Sequence, residues 1–311
     1  SVFDVIYSIQ CMPKYLVTGG AGFIGSNLVD ELIRLGHKVV VLDNLSTGKR
    51  SYLNSKAAFI KGDITKLEKI RPVFKNIDGV FHLAALPRVP LSIEKPIKTH
   101  DVNVNGTLNV LIAARDAGVK RVVYSASSSA YGETKTLPQR EELKPDPMHP
   151  YGLQKYIGEE YCRVFSLVYG METVSLRYFN VYGPRMADTG AYLSVIKTFL
   201  QQKMAGEPLT IFGDGAKTRD FTHVRDVVRA NILAMQSKKT REGEVINIGS
   251  GKNYSINQIA NFIGGSKWPK RYLAPRIEAW HSLADISKAK KLLGWTPKEK
   301  LEEAIKELLK S

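Results

Sequence analysis

The sequence predicts an α/β protein with a doubly wound parallel sheet of about seven strands and a smaller, mainly C-terminal lobe. Short apolar runs alternate along the chain with helical patterns, which is typical of βαβ units. The chain has 311 residues, of which 43% are apolar and 24% are charged. It is therefore long enough for two lobes, and its composition excludes wholesale disorder.

Seven apolar runs are predicted to be strands buried on both faces. They are Tyr15–Thr18, Lys38–Leu42, Ala58–Ile60, Gly79–Leu83, Arg121–Ser125, Thr173–Arg177 and Val245–Ile248. Helical patterns lie between and after these runs, at Ser26–Leu35, Lys98–Ala117, Pro150–Tyr169, Tyr192–Ala205, Arg225–Gln236, Ile256–Ile263 and Ser287–Leu293. The last strand is expected to return to the first sheet, so the two lobes are interleaved along the chain.

The first domain is predicted to cover residues 13–179 and to receive roughly 220–248 as well. Residues 180–219 and 249–311 would form the second, substrate-binding lobe. Residues 1–12 are interpreted as an N-terminal extension with Met12 as the natural start. Ser1 to Cys11 lack the basic beginning of a signal peptide and are too short to span a bilayer.

A glycine-rich loop follows the first predicted strand and precedes a helix. Gly19, Gly22 and Gly25 have the spacing G-x-x-G-x-x-G, with Phe23 and Ile24 between the last two glycines. Glycine allows the backbone to turn tightly and approach a pyrophosphate, while the helix N-terminus supplies free N–H groups and a positive dipole. The loop therefore predicts a Rossmann-type dinucleotide site in preference to a plain βα turn.

Two aspartates follow the second and third predicted strands. Asp43 lies 18 residues after Gly25. A carboxylate at this position accepts hydrogen bonds from the adenosine ribose and repels a 2′-phosphate, so it favours NAD over NADP. Asp63 has two equal interpretations, as a carboxylate beside the adenine amine or as a surface turn residue.

Three pairs match the weak pattern Tyr-x-x-x-Lys, namely Tyr52/Lys56, Tyr131/Lys135 and Tyr151/Lys155. Only the last pair opens a long helical pattern, where the four-residue spacing places both side chains on one face. A lysine ammonium beside the phenol would lower the pKa of the tyrosine and favour its phenolate. Ser127 ends the preceding strand, at the sheet edge where such folds bind ligands.

These motifs resemble the extended short-chain dehydrogenase/reductase family, and specifically its nucleotide-sugar 4-epimerases. The resemblance covers nearly the whole chain from Pro13. It rests on the segments Thr18–Gly25, Asp43–Gly48, His82–Ala85, Asn103–Thr107, Ser127–Gly132, Tyr151–Lys155, Leu176–Pro184, Phe212–Val224 and Ala284–Trp295. It implies a tightly held NAD, a Ser/Tyr/Lys catalytic set, no metal, and a UDP-sugar in the cleft between the lobes.

The resemblance gives three residues catalytic roles. Ser127 would hydrogen-bond the sugar 4-hydroxyl, Tyr151 would be the base, and Lys155 would hold the nicotinamide ribose. The same resemblance implies a wider cofactor site made of Gly19, Gly22, Phe23, Ile24, Gly25, Asp43, Asn44, Leu45, Ser46, Thr47, Gly48, Asp63, Ile64, Leu83, Ala84, Ala85, Asn103, Ser125, Tyr178 and Val181.

A substrate site is also implied by the resemblance. Besides Ser127 and Tyr151 its members are Asn180 and Arg219 on the diphosphate, Thr210, Phe212, Ala191 and Tyr192 around the uracil, Arg276 and Glu278 on the nucleotide, and Ser282 near the sugar. Many relatives have Arg-x-x-Asp where this chain has Arg276-x-Glu278. Relatives restricted to unsubstituted sugars hold a bulky tyrosine where this chain has Ser282.

The implied reaction is C4 epimerisation of a UDP-hexose through a transient 4-keto sugar. A small residue at position 282 leaves room for an N-acetyl group. The segment Leu86–Ile93 also resembles the UDP-N-acetylglucosamine (UDP-GlcNAc) epimerases. We therefore expect activity on UDP-GlcNAc and UDP-N-acetylgalactosamine (UDP-GalNAc), and also on UDP-glucose and UDP-galactose.

Alternatives within the family are a UDP-glucuronate 4-epimerase, a decarboxylase and a 4,6-dehydratase. The last two need an acidic residue near the catalytic hydroxyl, where this chain has Ser128 and Ser129. An alternative of another class is a non-catalytic NAD-binding module. The intact set of Ser127, Tyr151 and Lys155 disfavours it.

The formal net charge of +15 suggests a polyanionic partner at first sight. The excess is spread along the chain and no stretch forms a basic arm, which disfavours nucleic-acid binding. No segment is predicted to span a membrane. The two cysteines, Cys11 and Cys162, cannot build a disulfide framework, so a cytoplasmic enzyme is expected.

A homodimer is expected because the helices near 98–117 and 150–169 match those that pair into a four-helix interface in the family. Six of their apolar side chains fit either that interface or the core of a single chain. They are Leu108, Leu111, Ile112, Tyr161, Phe165 and Val168.

Overall fold

All seven predicted strands are present in this computed structural model, which describes residues 12–186, 194–275 and 279–310. Along the described chain the strands are β1 Lys14–Thr18, β2 Lys38–Asp43, β3 Ala58–Lys61, β4 Gly79–His82, β5 Arg121–Ser127, β6 Glu172–Tyr178, β7 Val181–Tyr182, β8 Leu209–Phe212, β9 Thr218–Asp220, β10 Thr222–His223, β11 Glu244–Ile248, β12 Asn253–Ser255 and β13 Lys270–Leu273. Seven of these described strands form one parallel sheet, in the order β11-β6-β5-β4-β1-β2-β3. This is the order of a Rossmann-type fold, as the sequence predicted.

Strand β1 lies at the point where the strand order reverses. Its last residue, Thr18, aligns with Leu42 of β2 on one side and with His82 of β4 on the other. The carboxyl ends of these three strands therefore open into one crevice. Doubly wound sheets bind their ligands at such a reversal, so the topology alone locates the functional site.

The α-helices of the described segments are α1 Phe23–Arg34, α2 Leu67–Ile70, α3 Val89–Glu94, α4 Pro96–His100, α5 Gly106–Asp116, α6 Pro150–Tyr169, α7 Val195–Met204, α8 Val224–Gln236, α9 Ile256–Gly264, α10 Ser287–Leu293 and α11 Leu301–Leu308. In those segments, we find no helix with both the length and the apolar character needed to cross a membrane.

Helices cover both faces of the sheet, because successive strand residues point to opposite sides. On β1, Val17 belongs to the core shared with α1, α8 and α10, whereas Leu16 belongs to the core shared with α2, α5 and α6. Both side chains are fully buried. Strand β11 pairs with β6 at the sheet edge, which confirms that the last predicted strand returns to the first sheet.

A third apolar core belongs to the later part of the chain. It brings together side chains of α7, β8, α9 and α11 around Phe199 and Ile259. Three short strand pairs frame it, namely β7 with β10, β8 with β13 and β9 with β12. Within the region assigned to the second lobe, α10 instead packs its Ala289 and Leu293 into the core of the main sheet. The domain boundaries themselves stay a prediction.

The helix predictions are confirmed with three differences. The helix predicted at 98–117 is not one regular α-helix, because a π-helical stretch, Asp101–Asn105, joins α4 to α5. Helices α2, α3 and α11 were not predicted. Helix α7 begins at Val195 where Tyr192 was predicted, and Tyr192 itself lies outside the described residues.

Candidate active site

A cavity of about 490 Å³ opens at the carboxyl ends of β1, β2, β4 and β5. Its wall includes twenty of the residues predicted for the cofactor and substrate sites. They are Gly19, Gly22, Phe23, Ile24, Gly25, Asp43, Asn44, Ser46, Thr47, Ile64, Leu83, Ala84, Ala85, Ser125, Ser127, Tyr151, Lys155, Tyr178, Asn180 and Val181. The fold thus brings the predicted cofactor and catalytic residues to one place.

The glycine loop needs glycine for steric reasons that the structure makes explicit. A Cβ atom on Gly19 would lie 2.6 Å from the Ala84 nitrogen, and one on Gly25 would lie 2.2 Å from the Gly19 carbonyl oxygen. Gly22 is the N-cap of α1 and no side chain caps this helix end. The free N–H groups of the first turn therefore stay available at the cavity wall.

Asp43 ties the end of β2 to the glycine loop. Its buried carboxylate accepts hydrogen bonds from the backbone nitrogens of Ala21, at 3.0 Å, and Leu45, at 2.8 Å. Leu45 does not line the cavity but allows this turn through its positive φ of 60°. Gly48 also lies behind the wall, where a Cβ atom would meet the backbone of Ala21 at 2.8 Å. The loop from 44 to 48 therefore supports the glycine loop through Leu45 and Gly48, while its other three residues line the cavity.

The contacts of Asp63 are those of a turn residue, which was one of its two interpretations, and not those of a carboxylate at the cavity. Its carboxylate accepts a hydrogen bond from the backbone nitrogen of Thr65 at 2.9 Å, which is the geometry of a local turn. The neighbouring Gly62 and Ile64 line the cavity, whereas Asp63 does not.

A chain of buried hydrogen bonds lies beneath the glycine loop. Thr107 donates its hydroxyl hydrogen to the Asn103 carbonyl at 2.7 Å, so it can only accept from His82 Nε2 at 3.0 Å. His82 Nδ1 then accepts from the Thr18 hydroxyl at 2.7 Å, and Thr18 accepts from the Ala84 nitrogen at 3.3 Å. Burial lowers the pKa of His82 to about 3, and the charge of Lys155 adds to this, so the imidazole stays neutral.

Asn103 acts from behind the cavity wall. It is buried in the π-helical stretch, where its side chain accepts from the Leu86 nitrogen at 2.7 Å and donates to the Leu86 carbonyl at 3.1 Å. Its amide also donates to Gln154 Oε1 of α6 at 2.8 Å. These bonds fix the segment after β4 against α6, and Asn103 itself does not line the cavity.

Ser127, Tyr151 and Lys155 lie together at the cavity wall. Ser127 ends β5, and its hydroxyl accepts from the Ser129 nitrogen at 3.2 Å. Tyr151 stands in the first turn of α6, one turn before Lys155. The buried Lys155 donates from Nζ to the Ser125 carbonyl at 2.6 Å and lies 4.9 Å from the centre of the Tyr124 ring.

Burial shifts the pKa values of both Tyr151 and Lys155. It raises the pKa of Tyr151, while hydrogen bonding with Ser127 acts in the opposite direction. It lowers the pKa of Lys155 to about 8, while the nearby Glu159 carboxylate opposes the change. The predicted lowering of the Tyr151 pKa by Lys155 is not observed, because burial outweighs it and Lys155 directs its Nζ to the Ser125 carbonyl.

The other two Tyr/Lys pairs have structural surroundings. Tyr131 is buried, donates its hydroxyl to Asn247 Oδ1 at 2.7 Å and lies under the Arg177 guanidinium. Tyr52 belongs to the short 3₁₀ turn Arg50–Tyr52, and the centre of its ring lies 5.7 Å from the Arg185 guanidinium. Neither tyrosine lines the cavity.

The predicted diphosphate and sugar residues meet where the two halves of the chain join. Asn180, at a positive φ of 27°, lines the cavity and donates to the Asp220 carbonyl at 2.8 Å and to the Ser282 hydroxyl at 3.3 Å. Ser282 also accepts from the Asp220 nitrogen at 3.2 Å. The neighbouring Arg219 donates to the Trp280 carbonyl at 3.1 Å. The fold therefore brings Asn180, Arg219 and Ser282 together.

The remaining residues predicted for the substrate site do not line the main cavity or lie outside the described residues. Thr210 lies on β8, where its hydroxyl accepts from Gln202 at 2.8 Å, and Phe212 ends the same strand. Neither residue lines the main cavity. The other four predicted residues, Ala191, Tyr192, Arg276 and Glu278, lie outside the described residues.

Several wall residues were not predicted. They are Leu42, Gly62, Pro87, Arg88, Val89, Val102, Ala126, Ser128 and Ser129. Most of them are adjacent in the sequence to predicted residues at the ends of strands. Pro87, Arg88 and Val89 belong to the segment after β4, and their position after a parallel strand is the signal that could have identified them.

The side chains present fit a dinucleotide. The glycine cradle leaves space for a pyrophosphate, the uncapped helix end offers N–H donors, and the Asp43 carboxylate stands where a ribose would bind. Across the described ranges, no group of His, Cys, Asp and Glu side chains is arranged to hold a metal ion. The donor set therefore suits NAD.

Comparisons with known proteins agree with this geometry. The model of the NAD dependent epimerase/dehydratase family matches residues 15–249. The chain is 37% identical over 305 residues to UDP-glucose 4-epimerase of Lactobacillus helveticus. The match covers 92% of this chain and 92% of that protein. It is similar to the crystal structure of UDP-glucose 4-epimerase with UDP-glucose from Thermotoga maritima, with a TM-score of 0.90, 41% identity and coverage of 96% of this chain and 97% of that one.

A second solved structure has a TM-score of 0.91, 38% identity and the same coverage of 96% and 97%. It is the UDP-N-acetylglucosamine 4-epimerase from Methanobrevibacter ruminantium in complex with UDP-N-acetylmuramic acid. The identities and the coverage extend over nearly the whole chain, far beyond the glycine loop. The chain therefore belongs to the NAD dependent epimerase/dehydratase family, and it is an NAD-dependent enzyme of the epimerase type that its motifs predicted.

Proposed function

We propose that the protein catalyses C4 epimerisation of a UDP-hexose through a transient 4-keto sugar. The expected substrates are UDP-GlcNAc and UDP-GalNAc, and also UDP-glucose and UDP-galactose. The observation that carries this proposal is the shared cavity, whose wall combines Ser127, Tyr151 and Lys155 with the glycine loop.

Each catalytic side chain has a distinct task in this reaction. The glycine loop would hold NAD, which would supply the reversible hydride chemistry at C4 of the sugar. Tyr151 would take the proton of the 4-hydroxyl, and Ser127 would hold that hydroxyl by a hydrogen bond. Lys155 would hold the nicotinamide ribose. Asn180 and Arg219 would hold the diphosphate while the keto sugar turns about it.

The acid/base inventory of the cavity favours epimerisation over elimination or decarboxylation. Ser128 and Ser129 line the wall directly after Ser127. Among the described wall residues the one carboxylate is Asp43, which is engaged with the glycine loop. No described wall residue can therefore protonate a departing hydroxyl as a carboxylic acid would.

The N-acetyl preference rests on the size of residue 282. The Ser282 hydroxyl lies 3.3 Å from the amide nitrogen of Asn180, a cavity residue, so a larger side chain there would extend toward the sugar. Ser282 is small enough to leave space for an acetamido group.

The decisive experiment is NMR of the purified protein with each UDP-sugar and no added NAD. Interconversion of UDP-GlcNAc with UDP-GalNAc, or of UDP-glucose with UDP-galactose, supports the proposal and shows that NAD is retained. A 4-keto-6-deoxy product or released carbon dioxide overturns it. Tyr151→Phe is the matched control, which should lose turnover and keep NAD, whereas a non-catalytic module would show no turnover in either protein.

A homodimer is part of the same proposal, and the outer face of α6 supports it. Leu153, Ile157, Tyr161, Val164 and Val168 follow one another at spacings of four, four, three and four residues, which makes one apolar stripe. Leu153, Val164 and Val168 are 46%, 37% and 61% exposed. A second copy of α5 and α6 would cover this stripe.

The six apolar positions named for the interface divide between core and surface. Leu111 and Phe165 are buried in the core, while Leu108, Ile112 and Tyr161 pack against it and stay partly exposed. Val168 is exposed. The interface would therefore use Leu108, Ile112, Tyr161 and Val168. It would not use the buried Leu111 and Phe165.

A further inference from the structure

We propose that Glu159 is a positioning residue, which acts on the reaction through Lys155 by keeping its amine charged and its helix in place. This inference rests on the proposed function, since it concerns the same proton transfer. Glu159 was not predicted for the site and does not line the cavity. Its side chain is nonetheless almost completely buried, and the proposed reaction gives its carboxylate no direct task.

Glu159 forms a buried ion pair with Arg177 of β6. Arg177 donates from Nε to both carboxylate oxygens, at 2.9 and 3.1 Å, and from Nη2 to Oε2 at 2.7 Å. The two side chains are 1% and 3% exposed. Burying two charges costs much of what their attraction gains, so such pairs often add little net stability. The position of the pair beside the site supplies a second reason for it.

The position of Glu159 in α6 places a negative charge beside Lys155. Glu159 follows Lys155 by four residues, so the two buried side chains lie one turn apart on the same face. Lys155 donates from Nζ to the Ser125 carbonyl at 2.6 Å, but a neutral amine can donate that bond too. The Glu159 carboxylate favours the charged form specifically, because its charge opposes the lowering of the Lys155 pKa by burial.

The other titratable groups around Lys155 do not replace this charge. They are Tyr124 of β5, His82 of β4, and Tyr151 and Cys162 of α6. Burial raises the pKa of both tyrosines and of the Cys162 thiol, and it lowers the pKa of His82, so all four are neutral near pH 7. In the part of the chain that the structure describes, Glu159 is therefore the group whose negative charge acts on Lys155.

The same ion pair links α6 to the end of β5. Arg177 is in register with Ala126, the residue before Ser127. Its guanidinium also lies 4.5 Å from the centre of the Tyr131 ring, in the 3₁₀ turn that directly follows Ser127. Through Arg177, Glu159 therefore holds the helix of the proposed base against the strand and the turn on either side of Ser127.

The charge of Lys155 matters because the proposed reaction moves a proton between Tyr151 and the sugar 4-oxygen. Negative charge develops on these oxygens, and a nearby ammonium stabilises it, whereas a neutral amine does not. Glu159→Gln removes the carboxylate charge and keeps the shape of the side chain. The pKa of Lys155 should then fall by about one unit or more, because its burial is less opposed. The basic limb of the kcat profile should move down with it, which lowers kcat above that limb by about tenfold.

Two measurements on the NAD-loaded protein test this expectation. NMR of protein labelled with ¹³C at lysine Cε follows the titration of Lys155, whose signal is assigned by its absence from Lys155→Met. NMR turnover assays over a range of pH give kcat and KM for the UDP-sugar. The KM should change little, because Glu159 does not line the cavity.

Glu172→Gln is the matched control. Glu172 begins β6 and pairs with Arg121 at the start of β5, so this second ion pair joins the same two strands at the end away from Ser127. Its loss should reduce stability and leave both the Lys155 titration and the kcat profile unchanged. Glu159→Asp keeps the negative charge, so it should restore most of the basic limb.

Three outcomes would overturn the inference. The first is an unchanged Lys155 titration in folded Glu159→Gln, and the second is a shifted titration with the kcat profile of the wild type. The third is an equal effect of Glu159→Gln and Glu172→Gln on kcat, which would show that the pair only stabilises the fold. If Glu159→Gln does not fold, the wild type decides: the inference requires a charged Lys155 at neutral pH, and a neutral one contradicts it.

Failure of the proposed function is distinguishable. If no UDP-sugar is epimerised, the lysine titration still measures the effect of Glu159, because it needs no turnover. A lower Lys155 pKa in Glu159→Gln, with no change in Glu172→Gln, then supports the electrostatic coupling. The same Lys155 pKa in all three proteins would refute it.

Discussion

Ser282 is where a single side chain is expected to set substrate range. Its hydroxyl accepts from the Asp220 nitrogen and from Asn180, so the residue is held beside the predicted diphosphate site. Ser282→Tyr should lower kcat/KM for UDP-GlcNAc by about 10- to 100-fold and that for UDP-glucose much less, since the phenol would fill the space of the acetamido group. NMR turnover assays measure both.

The control separates size from hydrogen bonding. Ser282→Ala removes the hydroxyl and its two contacts but keeps the side chain small. It should change both substrates alike. If Ser282→Tyr keeps the original preference, or if Ser282→Ala loses the acetylated sugars too, the size argument is wrong.

The shifted pKa of Lys155 should make the free energy of unfolding depend on pH, which can be tested without substrate. Burial lowers its pKa from 10.5 to about 8 in the folded chain. Between these two values the unfolded chain holds the proton and the folded chain does not, so stability rises with pH across that window. The folded state should gain about 3 kcal/mol relative to Lys155→Met from pH 7 to pH 11.

Urea unfolding of both proteins at several pH values measures this difference. Other titrating groups are shared by wild type and variant, so their contributions largely cancel in the comparison. Parallel stability curves for the two proteins would contradict the buried, shifted lysine. If the wild type instead loses stability relative to Lys155→Met as the pH rises, the pKa of Lys155 is raised and not lowered by folding.

At the residue scale, the sequence predicted those residues whose chemistry depends on local spacing. The glycines and Asp43 follow from a strand, a tight turn and a helix in succession. Asp63 could not be settled, because its contact with the Thr65 nitrogen depends on a turn geometry that spacing does not determine. Arg88 was missed because no local pattern shows where the segment after β4 runs.

At the element scale, α3 has a function beyond covering the sheet. Ser92 of this six-residue helix supplies the hydrogen-bond acceptor for the backbone nitrogen of Tyr151, in the first turn of α6. A helix end normally receives this bond from its own N-cap residue. Here His149, the N-cap of α6, accepts from Gly152, and a second helix completes the cap.

Ser92→Ala should therefore affect activity as well as stability. It leaves the partly buried Tyr151 nitrogen without its acceptor, which should cost about 1–2 kcal/mol. It should also lower kcat by about tenfold, because the first turn of α6 positions Tyr151, the proposed base. Turnover and urea unfolding of the same preparation measure both effects.

Ser255→Ala is the matched control for this prediction. Ser255 caps α9 through a capping box with Gln258, away from the cavity, so its loss should reduce stability and leave kcat unchanged. If Ser92→Ala reduces stability only, as Ser255→Ala does, α3 merely packs against α6.

The helices and strands that could be predicted are those whose apolar residues follow a regular pattern along the sequence. The seven strands and α6 have continuous apolar or helical patterns, and α6 begins and ends at the predicted residues. Helix α3 was missed because Pro87 and Pro90 flank its start and indicate a loop in a sequence. The π-helical stretch around Asn103 depends on side-chain bonds to Leu86 and Gln154, which no period reveals.

At the scale of the whole molecule, the interleaved chain path couples the cofactor cavity to the later part of the chain. The Asp220 carboxylate lies at the junction, where it accepts from the backbone nitrogens of Ser250, Gly251 and Ala284. These bonds hold three separated segments beside Asn180 and Ser282. The return of the last strand to the main sheet could be predicted from the sequence, but this junction depends on tertiary contacts.

The apolar stripe on α6 gives the prediction for assembly. Helix α6 buries one face under the sheet, where Lys155 and Glu159 lie, and presents Val164 and Val168 on the other. An exposed stripe of this kind beside α5 fits a helical interface between two copies. Light scattering should give about twice the chain mass of 34.6 kDa for the wild type.

Val168→Arg should shift that mass toward a single chain, because a buried, unpaired guanidinium at the interface is costly. Met204→Glu, which places a charge at a 74% exposed position on α7, should leave the mass unchanged. Retained NAD and an unaltered circular dichroism spectrum would show that Val168→Arg is still folded. A wild type with the mass of one chain, or a dimer that tolerates Val168→Arg and Val164→Arg alike, would place any contact between copies elsewhere than on α6.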